Sequence, residues 1–95
     1  MTNADLLTMT KSNLEILPAN TLWDTYIGNL IEAAKQMIGR EGIVLADTLE
    51  DANLIVMYTA YLYRKRATDN APMPRMLRYA LNNRLFSQKV GEVNA

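Results

Sequence analysis

The chain has 95 residues, with ten acids, ten bases, no cysteine and no histidine. That length bounds it to one small domain, and the composition excludes disulfides, thiolate ligands and the side chain that most often serves as metal ligand or neutral-pH base. An apolar share of 49% beside 21% charged residues is that of a folded soluble chain rather than a disordered one.

The chain starts Met1-Thr2-Asn3-Ala4-Asp5, without the basic start and apolar run of a signal peptide, and Thr2 excludes myristoylation. A first helix is expected from about residue 5 to residue 14, with Thr2 and Asp5 spaced as a capping box and Leu6, Leu7, Met9 and Leu14 loosely periodic. Pro18 breaks the chain after it. Thr21-Leu22-Trp23-Asp24 then sets the T-x-x-D pattern of a capped helix start. Trp23, Ile27, Leu30, Ile31, Ala34, Met37 and Ile38 recur at steps of three and four, one stripe of a second helix that Gly39 and Gly42 end. Ile43-Val44-Leu45 reads as a connector packed back on the core.

Thr48-Leu49-Glu50-Asp51 repeats T-x-x-D and opens a third helix. Apolar residues occupy nearly every face of it through Tyr63, the mark of a helix surrounded by others. Its most apolar stretch, residues 52–63, is too short to span a bilayer, so a soluble, intracellular protein without membrane contact is expected. Arg64-Lys65-Arg66 closes it, with cations where the helix dipole favours them. Residues 67–74, with Asp69-Asn70 and two prolines, must stop and redirect the chain. Pro74 suits the first position of a fourth helix with Met76, Leu77, Ala80, Leu81 and Leu85 on one face. Beyond Phe86 no period remains. The expected fold class is all-α: a single four-helix domain over residues 1–89 and a flexible C-terminal tail over 90–95.

Little in this chain suggests catalysis. Ser12 and Ser87 have no recognisable base, Glu50-Asp51 is explained by capping and the helix dipole, and neither a phosphate loop nor a dinucleotide fingerprint is present. No enzyme activity, metal or cofactor is expected. The charge distribution is more telling. Residues 1–63 sum to −5 and residues 64–89 to +6, and Glu92 restores the balance. Such a split suits a polyanion or the acidic body of a second copy. The candidate contact residues are Arg64, Lys65 and Arg66 at the end of the third helix and Arg75, Arg78 and Arg84 on the fourth, accompanied by Tyr58, Tyr61, Tyr63 and Tyr79. Arg75 and Arg78 share a face that Asn82 continues, and Arg84 lies off it. Bases with aromatics can hold nucleic acid by phosphate contact and stacking, or can simply edge a small core. A helix-turn-helix fits poorly, because residues 67–73 are longer than its turn and contain Pro72.

Three stretches in order carry a family resemblance: Leu30-Ile31-Glu32-Ala33-Ala34-Lys35 with Arg40-Glu41-Gly42-Ile43; Ala60-Tyr61-Leu62-Tyr63-Arg64-Lys65-Arg66; and Met73-Pro74-Arg75-Met76-Leu77-Arg78-Tyr79-Ala80-Leu81-Asn82-Asn83-Arg84-Leu85. Over residues 5–89 the chain resembles the small helical head–tail connector proteins of long-tailed bacteriophages, also called head-completion or DNA-packaging adaptor proteins. The resemblance implies a homo-oligomeric ring, dodecameric in that family, beneath a portal protein. DNA would pass through its lumen in weak contact, and tail-side joining proteins would dock on it. It implies a place in the virion at the head–tail interface, after assembly in the bacterial host cytoplasm. The chain departs from the family in having no long arm at either end. A ring needs two unlike patches that meet, and an acidic body with a basic C-terminal third supplies them, with Tyr26 or Trp23 as an apolar anchor. The alternative reading is a small helical nucleic-acid-binding regulator using the same bases on phosphates.

Overall fold

The computed structural model describes residues 2–66 and 72–94, the last three by their backbone alone. Four α-helices follow one another: α1 (Asn3–Asn13), α2 (Asp24–Arg40), α3 (Leu49–Lys65) and α4 (Arg75–Asn94). The fold is all-α, as the periodicity predicts. No described helix is long and apolar enough to cross a membrane. Residues 67–71 of the expected turn lie outside the described residues.

The helix starts differ in how they are made. At α1 the Thr2 hydroxyl accepts from the Asp5 amide at 3.1 Å and the Asp5 carboxylate accepts from the Thr2 amide at 3.2 Å, a complete capping box. At α3 the Thr48 hydroxyl accepts from the Asp51 amide at 3.2 Å. The expected Thr21 cap does not form. Helix α2 starts at Asp24 with Trp23 in the cap position and no side-chain cap. The chain ahead is held instead by Asn20, whose side-chain oxygen accepts from the Leu22 amide, and by a turn from the Leu17 carbonyl to the Asn20 amide. At α4 the Pro74 carbonyl accepts from the Arg78 amide, so Pro74 stands just before the first helical residue.

Helix α3 is the hub. It packs against α1, α2 and α4, and its buried side chains cover most of its circumference. The core joins Leu6 of α1, Ile27, Ile31, Ala34 and Ile38 of α2, Leu54, Ile55, Val56 and Tyr58 of α3, and Leu77 and Leu81 of α4. Ile43 of the connector is buried with them, whereas Val44 points to solvent. Direction follows from the side chains that meet. Thr2 and Asp5 line a cleft with Lys35, Thr48 and Ala52, and Asn13 meets Arg64. So α1 and α3 run parallel, with α2 antiparallel to both. Glu50 and Leu54 of α3 share a groove with Arg84, Asn83 and Ala80, which makes α4 antiparallel to α3. The result is an up-down-up-down order in a flat body of 46 × 30 × 18 Å.

Helix α4 departs most from its sequence pattern. Leu77 and Leu81 are buried, and Ala80 and Leu85 pack at the core's edge, but Met76 is exposed rather than on the inner face. The backbone also continues as helix through residues 87–94, well beyond Phe86. The tail expected from residue 90 is helical in its described part, with Ala95 and the side chains of 92–94 outside the described residues.

Candidate interaction surface

The six candidate bases fall into two groups with different surroundings. Arg64, Lys65 and Arg66 stand at the C-terminal end of α3, beside the start of α2 and the end of α1. Arg64 is exposed, its guanidinium 3.5 Å from the Asn13 side-chain oxygen. Lys65 lies 5.7 Å from the Tyr61 ring centre. Arg66 sits over two rings, 4.3 Å from Tyr63 and 5.0 Å from Trp23. Those rings belong to a cluster: Trp23 meets Tyr26 and Tyr63 edge-on at 6.2 and 6.4 Å, and Tyr26 lies 6.3 Å from Tyr63. Edge-on packing and a stacked guanidinium each favour a fixed arrangement. Trp23 is half-buried and packs on the core, while Tyr26 is exposed. This end therefore presents three cations beside an aromatic ledge.

Arg78 and Arg84 instead pair with acids of the acidic body, Arg84 turned inward and Arg78 along the surface with its side chain 42% exposed. Arg84 donates from Nε to Asp51 Oδ1 at 2.6 Å and from Nη2 to Asp51 Oδ2 at 3.1 Å, and Nη2 also reaches the Val44 carbonyl at 2.9 Å. The Asp51 side chain is 1% exposed and that of Arg84 16%. A third donor, the Ala46 amide, reaches Asp51 Oδ2 at 2.6 Å. Burial alone would raise the Asp51 carboxyl; the hydrogen bonds from Arg84 and Ala46, with the Arg84 charge, outweigh it and hold the group below the ordinary carboxylate value. The same bond raises Arg84. Arg78 donates to Glu41 at 2.7 Å, and that bond raises its pKa too. Tyr58 beside them is pushed up, by burial first and then by the Glu41 carboxylate.

Gln88 completes this seam. Its side-chain nitrogen donates to the Gly42 carbonyl at 2.9 Å and its oxygen accepts from the Val44 amide at 2.7 Å. The amide thus pairs with connector backbone much as a neighbouring strand would. Arg84 and Gln88 continue the Leu77–Leu81 stripe at steps of three and four, and that spacing is the signal that they face inward. Arg75, one turn before Arg78, is exposed, and no described residue pairs with it.

Lys11 is a further residue whose role is invisible in its sequence position. Nearly buried, it lies 2.9 Å from Asp24 and donates to the Pro18 carbonyl at 3.1 Å. It ties the end of α1 to the loop and to the start of α2, behind the aromatic ledge. No group of three or more acids that could hold a metal ion occurs among the described residues.

The two ends of the bundle differ in charge. Asp5, Asp47 and Glu50 lie where α1 and α3 begin, with Lys35 and Arg40 of the antiparallel α2 at the same end, and Arg64, Lys65 and Arg66 lie where α3 finishes, with Glu15 after the end of α1. Comparison with family models, curated proteins and solved structures finds no match to this chain.

Proposed function

We propose that this protein is a non-catalytic connector that joins copies of itself end to end, as in the ring of a phage head–tail adaptor through which DNA passes. The observation that supports it most is the polarity of charge along the bundle. Arg78 and Arg84 are paired with Glu41 and Asp51 of their own chain, which leaves Arg64, Lys65, Arg66 and Arg75, of the six candidates, without an acid partner among the described residues; Arg40 and Lys89 are exposed elsewhere. The first three crown one end, and exposed Glu50 marks the other. Unlike patches at opposite ends suit a heterologous joint, which closes into a ring when the rotation per copy allows. The portal protein, the tail-side proteins and weakly held passing DNA come from the sequence resemblance and belong to the same proposal.

A regulator that holds duplex DNA is the second reading, favoured by the cations beside the Trp23–Tyr26–Tyr63 ledge. The two readings separate on assembly and salt. Light scattering with negative-stain imaging, with and without a portal protein, is expected to show rings or portal-bound rings. Duplex DNA is expected to bind weakly. A monomer under all conditions that binds duplex tightly, with affinity falling by about 0.9 log units per phosphate contact for each log unit of salt, would sink the connector reading in favour of the regulator.

A further inference from the structure

Helix α4 carries two apolar faces, and the core takes only one. Leu77, Leu81 and Leu85 face inward with Arg84 and Gln88. On the other side Met76 is 72% exposed, Tyr79 54%, Phe86 70% and Val90 40%. Single exposed apolar residues are ordinary, but large ones that recur along one helix face, here two pairs with Asn83 between them, mark a contact site. Their spacing is regular. Met76, Tyr79, Asn83, Phe86 and Val90 follow steps of three, four, three and four, the a and d positions of a heptad, over about 21 Å of helix. Asn83, exposed in the middle of the row, stands where a single polar a residue sets the register of a helix pair.

The edges of this face say what fits it. Arg75, Asn82 and Lys89 stand at successive g positions on one edge, and Ala80 and Ser87 at e positions on the other, where Glu50 of α3 lines a groove with Ala80 and Asn83. No described residue pairs with Arg75 or Lys89. A second α4 is a poor match. Antiparallel pairing runs one basic edge along the other, and parallel pairing sets it against Ala80 and Ser87, so neither makes an ion pair. Among the described residues no other helix of this chain shows an exposed apolar row. A lipid surface would cover Asn83 without offering it a hydrogen-bond partner, at a cost that a paired helix avoids.

We propose that the outward face of α4 docks an amphipathic helix of another protein, one whose apolar a and d stripe is flanked by acids. The apolar stripe would seat between Met76, Tyr79, Phe86 and Val90, and the acids would meet Arg75 and Lys89. This docking goes beyond end-to-end assembly and does not depend on it.

A synthetic helix of about three heptads, with leucine at a and d save one central asparagine to pair with Asn83, and glutamate at e and g, provides the probe, since its own acids keep it from pairing with itself. Titrated into the full chain by heteronuclear NMR, it is expected to shift amides across residues 75–90. A lysine-flanked version of the peptide should bind about tenfold more weakly. Phe86→Glu should abolish binding while circular dichroism and the unfolding midpoint stay unchanged, because this ring lies outside the core. An Arg75→Glu/Lys89→Glu variant should invert the preference and take the lysine-flanked peptide. Equal binding of both peptides, or binding that survives Phe86→Glu, overturns the proposal. So does self-association lost with Phe86→Glu, which would make a second copy the occupant. Uptake by phosphatidylglycerol vesicles without peptide binding overturns it equally. Ring assembly is read separately by light scattering, so neither result stands in for the other.

Discussion

Asp51 has almost no contact with solvent, yet its neighbours keep it ionised. Three donors and a guanidinium charge surround it, and they join the start of α3, the connector and the middle of α4 at one carboxylate. Breaking such a pair from one side leaves an uncompensated charge in a nearly dry site, which costs more than the intact pair contributes over an apolar substitute. Asp51→Asn is therefore expected to cost about 3 kcal/mol at neutral pH, measured by urea unfolding. The pH dependence follows from the lowered carboxyl. A depressed folded value stabilises fully above the unfolded value of about 4 and loses that stabilisation as pH falls through the folded value. The gap between the parent chain and Asp51→Asn should thus narrow steadily below about pH 4. A gap of constant size down to pH 2 would mean that the carboxylate charge is not what stabilises this seam. The pairing is hard to read from sequence, because 33 residues separate the partners and Asp51 already has a sufficient local explanation as an acid in a helix's first turn. Arg84 is the better clue: a base on an otherwise leucine-lined stripe needs an acid to receive it.

At the scale of elements, local chemistry wrote the helix starts more clearly than the ends. Thr2 and Thr48 cap as their spacing predicts. Thr21 has the same spacing and does not cap, because Asn20 already turns the chain there and Asp24 is drawn to Lys11. The end of α1 is less legible still. Pro18 suggests a stop, but the helix closes at Asn13, where the Ile16 amide donates to the Lys11 carbonyl and the Glu15 amide to the Ser12 carbonyl. That pair of bonds is a Schellman closure, which needs a left-handed residue between them. Glu15 occupies that position at φ 61°. Glycine adopts this conformation without the clash that a Cβ brings. Gly42, at φ 95°, shows the same requirement met by glycine after α2. Glu15→Gly is expected to raise stability by about 1 kcal/mol, read as a higher urea midpoint with unchanged slope. A lower midpoint would mean that the carboxylate makes a contribution larger than the strain it sits on. Helix α4 is the opposite case. Its sequence contains two interleaved apolar stripes, one starting at Leu77 and one at Met76. Periodicity alone cannot say which of them faces the core, and Met76 is assigned inward from sequence for that reason.

For the whole molecule, the fold turns a split along the chain into a polarity in space. Because α3 runs from Leu49 to Lys65 through the middle of the body, its acidic start and basic finish stand at opposite ends. Glu41 and Asp51 neutralise Arg78 and Arg84 within the chain, which leaves the remaining bases of the C-terminal third to set the contrast. A joint built on that contrast makes a prediction that a DNA-binding surface does not. Arg64→Glu/Lys65→Glu removes the basic end and should leave a chain that stays monomeric, since its two ends are then both acidic. Glu50→Lys weakens the acidic end and should fail alone for the mirrored reason. Mixed in equal amounts, the two variants again offer opposite charges at every seam, so copies should alternate and assembly should return, seen as recovery of particle mass by light scattering. All three side chains are exposed or at the core's margin, so each variant should fold, and circular dichroism checks that it does. If the mixture remains monomeric while each variant keeps its helical signal, the ends do not meet in the assembly. If Arg64→Glu/Lys65→Glu assembles alone as the parent does, the basic end is not part of the joint. Nucleic-acid binding would behave otherwise, since adding Glu50→Lys in trans cannot restore the phosphate contacts that the first variant has lost.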